Sequence, residues 1–142
     1  MSISRIITSI TAEAALSAVQ AAQHAAKARN IAVVAAVVDP GGHLVACLRA
    51  DGAFVASIDI ARDKAWTAAI FGASTDGLAT ALNHSHVLLD GIAAREHVVL
   101  FGGGMPIIQN GTVIGGIGVS GGSEDDDRAA AAAGLKAIGL AA

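Results

Sequence analysis

The spacing of apolar and polar residues in the first half of the chain predicts a helix, two strands and a second helix. Within Thr11–Asn30, polar residues recur at steps of three and four, which indicates an amphipathic helix capped by Thr11. The β-branched run Ile31–Asp39 is too uniformly apolar for a half-exposed strand, so we expect a strand buried on both faces. Turn residues at 40–43 and the run at 44–51 predict its hairpin partner. A second helix is predicted over Phe54–Phe71.

The second half of the chain predicts three more strands between helices. We expect a short helix over 77–83, an irregular segment over 84–97, strands over 98–101, 107–109 and 112–122, and a last helix from the cap residue Ser123 to Gly139. Asn110 and Gly111 form the strongest short-range hairpin signal. The order α-β-β-α-α-β-β-β-α predicts one α/β domain over residues 1–142, with helices flanking a five-stranded antiparallel sheet in an α+β layer arrangement of the profilin or PAS kind.

Composition adds the expectation of self-association. Of the 142 residues, 54% are hydrophobic but only 3% are aromatic, so the apolar content consists mostly of Ala, Val, Ile and Leu. A small domain cannot cover all of this apolar surface by itself, and a surplus of this kind is usually hidden between subunits. We therefore expect a homo-oligomer.

Charge and cysteine content exclude several classes of protein. The net charge is −3 and the 9 Lys and Arg residues are scattered, so nucleic-acid binding is not expected. No apolar stretch reaches the roughly 18 residues of a membrane span, and the first residues lack a signal-peptide pattern, so we expect a cytoplasmic protein that does not bind membranes. The single Cys47 rules out an internal disulfide, and its apolar surroundings predict a buried, unreactive thiol.

Lys64 is the first candidate for chemistry. It lies on the side of the second predicted helix that also carries Ser57 and Ala61, where small residues indicate that a neighbouring element covers the helix. A covered ammonium group needs an anionic partner, because desolvating an unpaired charge is costly. The partner is either an acidic residue of the same helix, Asp59 or Asp63, or a bound anionic ligand; alternatively, the side chain extends to solvent.

A run of three glycines supplies a second candidate. Gly102, Gly103 and Gly104 can orient successive N–H groups toward one anion, although a tight turn without a ligand explains them equally well. Because no helix is predicted directly after the loop, it is neither a P-loop nor a dinucleotide-binding motif.

Histidines and one methionine are candidate ligands. His84 and His86 would point to the same side of an extended segment and, with His97, could hold a metal ion, but exposed loop histidines are commoner and we assign no metal site. Non-covalent haem needs only one axial donor beside an apolar cleft. His84, His86, His97 or Met105 could supply that donor.

Several segments together resemble one family. The stretch A-S-I-D-I-A-R-D-K-A-W-T-A-A-I-F-G at 56–72 is similar to the family's central helix, with its pattern S-x-x-x-A-x-x-K-A-x-T-A. The loop F-G-G-G-M-P-I at 101–107, the hairpin V-D-P-G-G-H-L at 38–44 and the closing I-G-G-I-G-V-S-G-G at 114–122 match in the same order. On these motifs the chain is identified as a member of the GlcG/HbpS-like, or haem-degrading-domain, family, which includes the C-terminal domain of PduO-type cobalamin proteins.

The resemblance implies a profilin-like sandwich, homo-oligomers, and members that bind haem. Our leading hypothesis is a cytoplasmic homo-oligomer that binds haem or a related tetrapyrrole, with Lys64 or the amides of Gly102–Gly104 contacting its propionate groups. The alternative is a small catabolic enzyme, an isomerase, hydratase or lyase acting on an organic acid. In that case Lys64 and the glycine amides stabilise negative charge, and His97 or another histidine transfers a proton.

Overall fold

The chain forms five helices and one antiparallel sheet, in a computed structural model that describes residues 1–142. In chain order, the elements are α1 (Ala12–Ala28), β1 (Val34–Val38), β2 (Leu44–Arg49), α2 (Ala56–Phe71), α3 (Thr75–Leu82), α4 (His86–Ala93), β3 (Gly104–Gln109), β4 (Thr112–Ser120) and α5 (Glu124–Ala137). The expected mixture of helices and antiparallel strands is confirmed. None of the helices is both long and apolar enough to cross a membrane.

The sheet separates two helical layers. Its strand order is β2-β1-β4-β3, so β1 and β4 lie in the middle. All of β1 is buried, which confirms the prediction of a strand covered on both faces. Val34, Ala36 and Val38 pack on the side of α2, whereas Ala35 and Val37 belong to the larger core cluster formed with α1 and α5.

The sheet has four strands rather than five, because the strand expected over 98–101 does not form. The Val99 N–H donates to the side-chain oxygen of Thr67 on α2 at 3.0 Å. In a strand, this N–H would donate to a backbone carbonyl of the neighbouring strand. His97, the residue directly before this segment, has a φ of 69°, which lies outside the range of an extended strand. The backbone of this segment is therefore tied to α2, and the sheet resumes only at Gly104.

The element order also contains one helix more than expected. We expected irregular chain over 84–97, but α4 forms within it, because the Ser85 side chain accepts a hydrogen bond from the Leu88 N–H at 3.2 Å and so caps a helix. Gly91 and the neighbouring histidines weaken the helical pattern in the sequence. No residue of α4 is buried within the chain.

The expectation of a buried Cys47 is wrong. The thiol is exposed, because Cys47 lies on β2, which is an edge strand of the sheet. Partial burial nevertheless raises the pKa of the Cys47 thiol above its ordinary value, which keeps it a weak nucleophile.

The helix α2 lies directly on glycines of the sheet. A Cβ atom at Gly118 would overlap the carbonyl oxygen of Ala61, and one at Gly116 would overlap that of Ala65. Glycine within a strand lets another backbone approach closely, and here the backbone of α2 is the element that approaches. As a result, Ala61, Ala65 and Ala68 of α2 are fully buried.

We expect Gly118→Ala to lower the free energy of unfolding by about 1–3 kcal/mol, because the added methyl group forces α2 away from the sheet. Gly91→Ala is the matched control, since its Cβ would meet nothing within 4 Å. That control should be neutral or stabilising by about 0.5–1 kcal/mol, as expected for glycine replaced within a helix. Urea unfolding measures both variants, and equal stabilities would contradict the close contact between α2 and β4.

Candidate functional site

A polar cleft lies along the outer side of α2. It has a volume of about 430 Å³ and is lined by Gly41, Gly42, His43, Arg62, Asp63, Trp66 and His97. The β1–β2 turn supplies the first three residues, α2 the next three, and the segment after α4 supplies the last. Three other clefts, of about 150, 300 and 400 Å³, have no histidine among their lining residues.

His97 is held in this cleft by Asp63. Its Nδ1 atom lies 3.0 Å from Oδ1 of Asp63, and its ring centroid lies 5.7 Å from that of Trp66. Because an ionised carboxylate can only accept a hydrogen bond, the contact selects, for a neutral imidazole, the tautomer with its proton on Nδ1 and its lone pair on Nε2. The His97 side chain is 42% exposed and lines the cleft, so a molecule in the cleft can contact the ring.

The backbone around His97 is fixed by Thr67, a fully buried residue of α2. The Thr67 hydroxyl donates to the carbonyl oxygen of His97 at 2.9 Å and accepts from the Val99 N–H at 3.0 Å. The left-handed φ of 69° at His97 costs a residue with a side chain roughly 1–3 kcal/mol. These hydrogen bonds and the contact with Asp63 offset that cost, so the imidazole is held in one place.

A second histidine–aspartate pair borders the same cleft. His43 Nδ1 lies 3.2 Å from Oδ1 of Asp39, which also accepts the backbone N–H groups of Gly41 and His43. Although partial burial opposes the effect, these hydrogen bonds hold the pKa of Asp39 below its ordinary value. The His43 side chain is 82% exposed, so it is much less confined than His97.

Lys64 lies on the buried side of α2, in a closed ion pair with Asp127. Its Nζ atom is 3.1 Å from Oδ2 of Asp127, donates to the carbonyl oxygen of Val119 at 2.9 Å, and lies 4.9 Å from the centroid of the Phe101 ring. Burial lowers the pKa of Lys64 and raises that of Asp127, and the attraction between the two groups opposes both shifts. The anionic partner thus comes from α5 rather than from the helix that carries the lysine.

The Gly102–Gly104 loop lies beside this ion pair, and two of its amides have partners in the chain. The Gly102 N–H donates to the Glu124 carboxylate at 2.7 Å, and the Gly104 N–H donates to a threonine hydroxyl of α3 at 3.1 Å. A Cβ atom at Gly103 would lie 2.7 Å from Nζ of Lys64. The glycines therefore let the loop cover the ion pair closely.

The remaining candidates lie outside the cleft. His84 and His86 are exposed, and they do not share an extended segment, because Ser85 caps α4 and His86 is its first residue. No group of three or more His, Cys, Asp and Glu side chains is arranged to hold a metal ion. Met105 is in β3 and packs against the larger core cluster.

Sequence reasoning identified His97 but not the residues that place it. Asp63 and Trp66 are three positions apart on the polar side of α2, and this spacing is the signal that they share one face. Nothing in the sequence indicated a role for Thr67, because His97, whose carbonyl it bonds to, lies 30 residues away along the chain. Asp127 belongs to an acidic first turn that the helix dipole explains without any partner.

Comparisons with known proteins assign the chain to a family. Residues 10–136 match the family described as haem-degrading, HbpS-like proteins. An uncharacterised 15.0 kDa protein of Citrobacter freundii, from the dhaT–dhaS intergenic region, is 40% identical over 129 residues, covering 90% of this chain and 91% of that protein. The crystal structure of the Klebsiella pneumoniae protein ORFY has a TM-score of 0.91 to this chain at 36% identity, covering 97% of this chain and 96% of the other.

A crystallised PduOC–haem complex is also similar to this chain, with a TM-score of 0.85 at 29% identity, covering 94% of this chain and 97% of the other. The resemblance drawn from the sequence motifs is thereby confirmed. The chain belongs to the HbpS-like family.

Replacing Lys64 by methionine should destabilise the fold by about 3–5 kcal/mol, because the Asp127 carboxylate would stay buried without its partner. Burial keeps the pKa of Asp127 above its ordinary value, so the folded state of the variant binds a proton more readily than the unfolded state. The loss of stability should therefore be smallest in acid and grow as the pH rises through that raised pKa. Chemical unfolding at about pH 4 and pH 7 measures the difference.

Two further variants serve as controls for Lys64→Met. Adding Asp127→Asn should restore part of the stability, because a neutral amide needs no ammonium partner and its oxygen can still accept the Gly122 N–H. Lys136→Met removes an exposed lysine of α5 and should change stability little. If Lys64→Met proved no more destabilising than Lys136→Met, the ion pair would have no role in stability.

Proposed function

We propose that this member of the HbpS-like family binds haem or a related tetrapyrrole in the cleft beside α2. The observation that carries the proposal is the orientation of His97, whose Nδ1 is bonded to Asp63 while Nε2 is left free to bind a metal. The similarity to a crystallised haem complex supports the same ligand class.

The cleft offers such a ligand mainly polar contacts, with Trp66 as its one hydrophobic residue. Its volume of about 430 Å³ falls within the range of roughly 300–1,000 Å³ found for small-molecule sites. Trp66 presents an aromatic ring next to His97. Arg62 is paired with Asp59 at 3.0 Å on the surface, and its partly exposed guanidinium can instead take a propionate group. A bound haem would supply an iron centre able to change oxidation state, and the chain would hold it through His97 and Arg62.

The other candidate residues have different parts in this proposal. His84 and His86 are exposed outside the cleft, so in this proposal they take no part in binding there. Lys64, the Gly102–Gly104 loop and Met105 act by supporting α2 and β3 from within the fold, because they lie in or against the core.

A small catabolic enzyme is the second candidate function. The expected site uses the Lys64 ammonium and the glycine amides, but Lys64, Gly102 and Gly104 already donate to groups of the chain. The His97–Asp63 pair does have a geometry suited to proton transfer. Geometry therefore favours ligand binding over catalysis on an organic anion.

We also propose that the protein is a cytoplasmic homo-oligomer. The helix α4 has an apolar composition and no buried residue, with Val87 85% exposed and Leu88 41% exposed. Phe54 and Phe71 on α2 and its entry segment are also exposed. Apolar helical surface of this kind is normally covered by another element, and a second copy of the chain would cover it. The free Cys47 thiol is compatible with a reducing compartment.

Titration of the purified protein with hemin should give a saturable shift of the Soret band. His97→Ala should weaken hemin binding more than about tenfold. Loss of a group that hydrogen-bonds to a metal ligand typically lowers affinity by about 10–100-fold, and loss of the ligand itself should cost at least as much. His84→Ala and His86→Ala remove exposed histidines outside the cleft and should bind like the wild type. A featureless, non-saturating titration of the wild type would contradict the proposed function.

Light scattering should give the wild type a mass well above the 14.0 kDa of one chain. Val87→Glu should lower that mass, because a charge on the exposed face of α4 disfavours an apolar contact. Ser17→Glu, at an exposed position of α1, is the control and should leave the mass unchanged. A monomer mass for the wild type at micromolar concentration would refute the assembly.

A further inference from the structure

We propose that the N-terminal arm, residues 1–9, of one copy of the chain pairs as an extra strand with the open edge of β2 in a second copy, and that the two copies exchange arms reciprocally. The inference rests on the proposed homo-oligomer and adds which surfaces meet in it. Two unpaired parts of the chain carry it, namely the arm and the outer edge of β2.

The N-terminal arm has the composition of a strand but no partner in its own chain. Isoleucine and threonine, which favour strands, supply four of the six residues at 3–8. The three isoleucines of the arm are between 60% and 99% exposed. The arm forms only local hydrogen bonds, and the chain joins the sheet at Ile10, whose N–H donates to the Ile114 carbonyl at 2.9 Å. A strand-forming apolar segment is thus left unpaired.

The strand β2 is the open edge of the sheet. One side of it pairs with β1, and no backbone hydrogen bond links residues 44–49 to any other part of the chain. The opposite edge, β3, is less open, because the Gly104 N–H donates to the Thr75 hydroxyl at 3.1 Å and Pro106 has no N–H. Every residue of β2 except Arg49 is apolar. Proteins normally cover or interrupt an apolar edge of this kind.

The arm does not lie along the β2 edge of its own chain. Residues 5–8 run past Pro40 and Thr112, at the two hairpin turns, and a gap of about 400 Å³ separates the arm from these turns. This path crosses the end of the sheet, whereas the open edge of β2 runs along its side. A reciprocal exchange between two copies pairs both arms with both edges and leaves neither surface over.

The arm and the edge match in length and in chemistry. Residues 3–8 and β2 are each six residues long, so the arm can run the full length of the edge. A ladder between them gives partners to the outward N–H and C=O groups of β2. Side chains of the arm then cover apolar side chains of β2 such as Leu44, which is 50% exposed. This surface is separate from the exposed face of α4, so the assembly has two kinds of contact.

Light scattering of an arm-deleted protein tests the exchange. Deletion of residues 2–9 keeps Ile10, which is buried in the core, so circular dichroism should show an unchanged fold. The mass of the assembly should fall to about half or less, because each arm-linked pair separates. Ile6→Glu should lower the mass in the same way. Leu16→Glu, a matched change at an exposed apolar residue of α1, should leave the mass at the wild-type value.

Hydrogen exchange locates the contact in the assembled wild type. The amides of residues 3–8 and the outward amides of β2 have no partner within one chain. Both sets should exchange at least about tenfold more slowly in the wild type than in Ile6→Glu. In the arm-deleted protein, β2 should lose the same protection, whereas β1, which is paired on both sides, should keep its own.

Two results would overturn the inference. One is an arm-deleted protein that assembles to the same number of copies as the wild type. The other is an arm protected from exchange while deletion changes neither the exchange of β2 nor the assembly, which would place the arm on its own chain. A monomeric wild type refutes the proposed homo-oligomer itself, and a failed hemin titration bears only on the ligand, so the failures are distinguishable.

Discussion

The position of α2 depends on the glycines of β3 and β4, because only residues without a side chain let the helix backbone reach the sheet. Cβ atoms at Gly116 and Gly118 would overlap carbonyl oxygens of α2. This contact fixes the rotation and the depth of the helix together. Once they are fixed, Lys64 faces the interior and Asp63 and Trp66 face outward, so both the ion pair and the cleft follow from the same packing.

The depth of α2 explains why a lysine is buried in so small a core. Its ammonium group reaches past the sheet to the first turn of α5, where Asp127 meets it, and the glycine loop closes over both. Asp127 also accepts the Gly122 N–H through its other oxygen, which ties the end of β4 to α5. A pair of this kind adds little net stability compared with apolar residues, but losing one partner is costly. It therefore fixes the relative positions of α2, β4 and α5.

Helices, strands and turns were predictable where the local sequence pattern matches the position of the element in the folded chain. The uniform apolar run of β1, the Asn110-Gly111 turn and the caps Thr11 and Ser123 all behave as expected. The segment 98–101 looks like a strand because it is apolar, but its backbone bonds to Thr67 of α2 and not to a neighbouring strand. No local pattern distinguishes those two uses of an apolar run. The site was predictable only in part, because His97 stands out in the sequence while its partners depend on α2 being placed.

Lys64 and Asp63 of α2 show why burial decides which residue serves structure and which can serve a ligand. The sequence singles out Lys64 because a covered lysine needs an anionic partner. The same burial pairs it with Asp127 and leaves its side chain only 1% exposed, out of reach of a ligand. Asp63 is only partly buried, so it can orient His97 without closing over it, and the imidazole keeps one nitrogen free. A site of this kind needs one nitrogen satisfied by the chain and one left to the ligand. The outer face of α2 is only half covered and meets that condition. The inner face does not, because every buried polar side-chain atom there already has a hydrogen-bond partner.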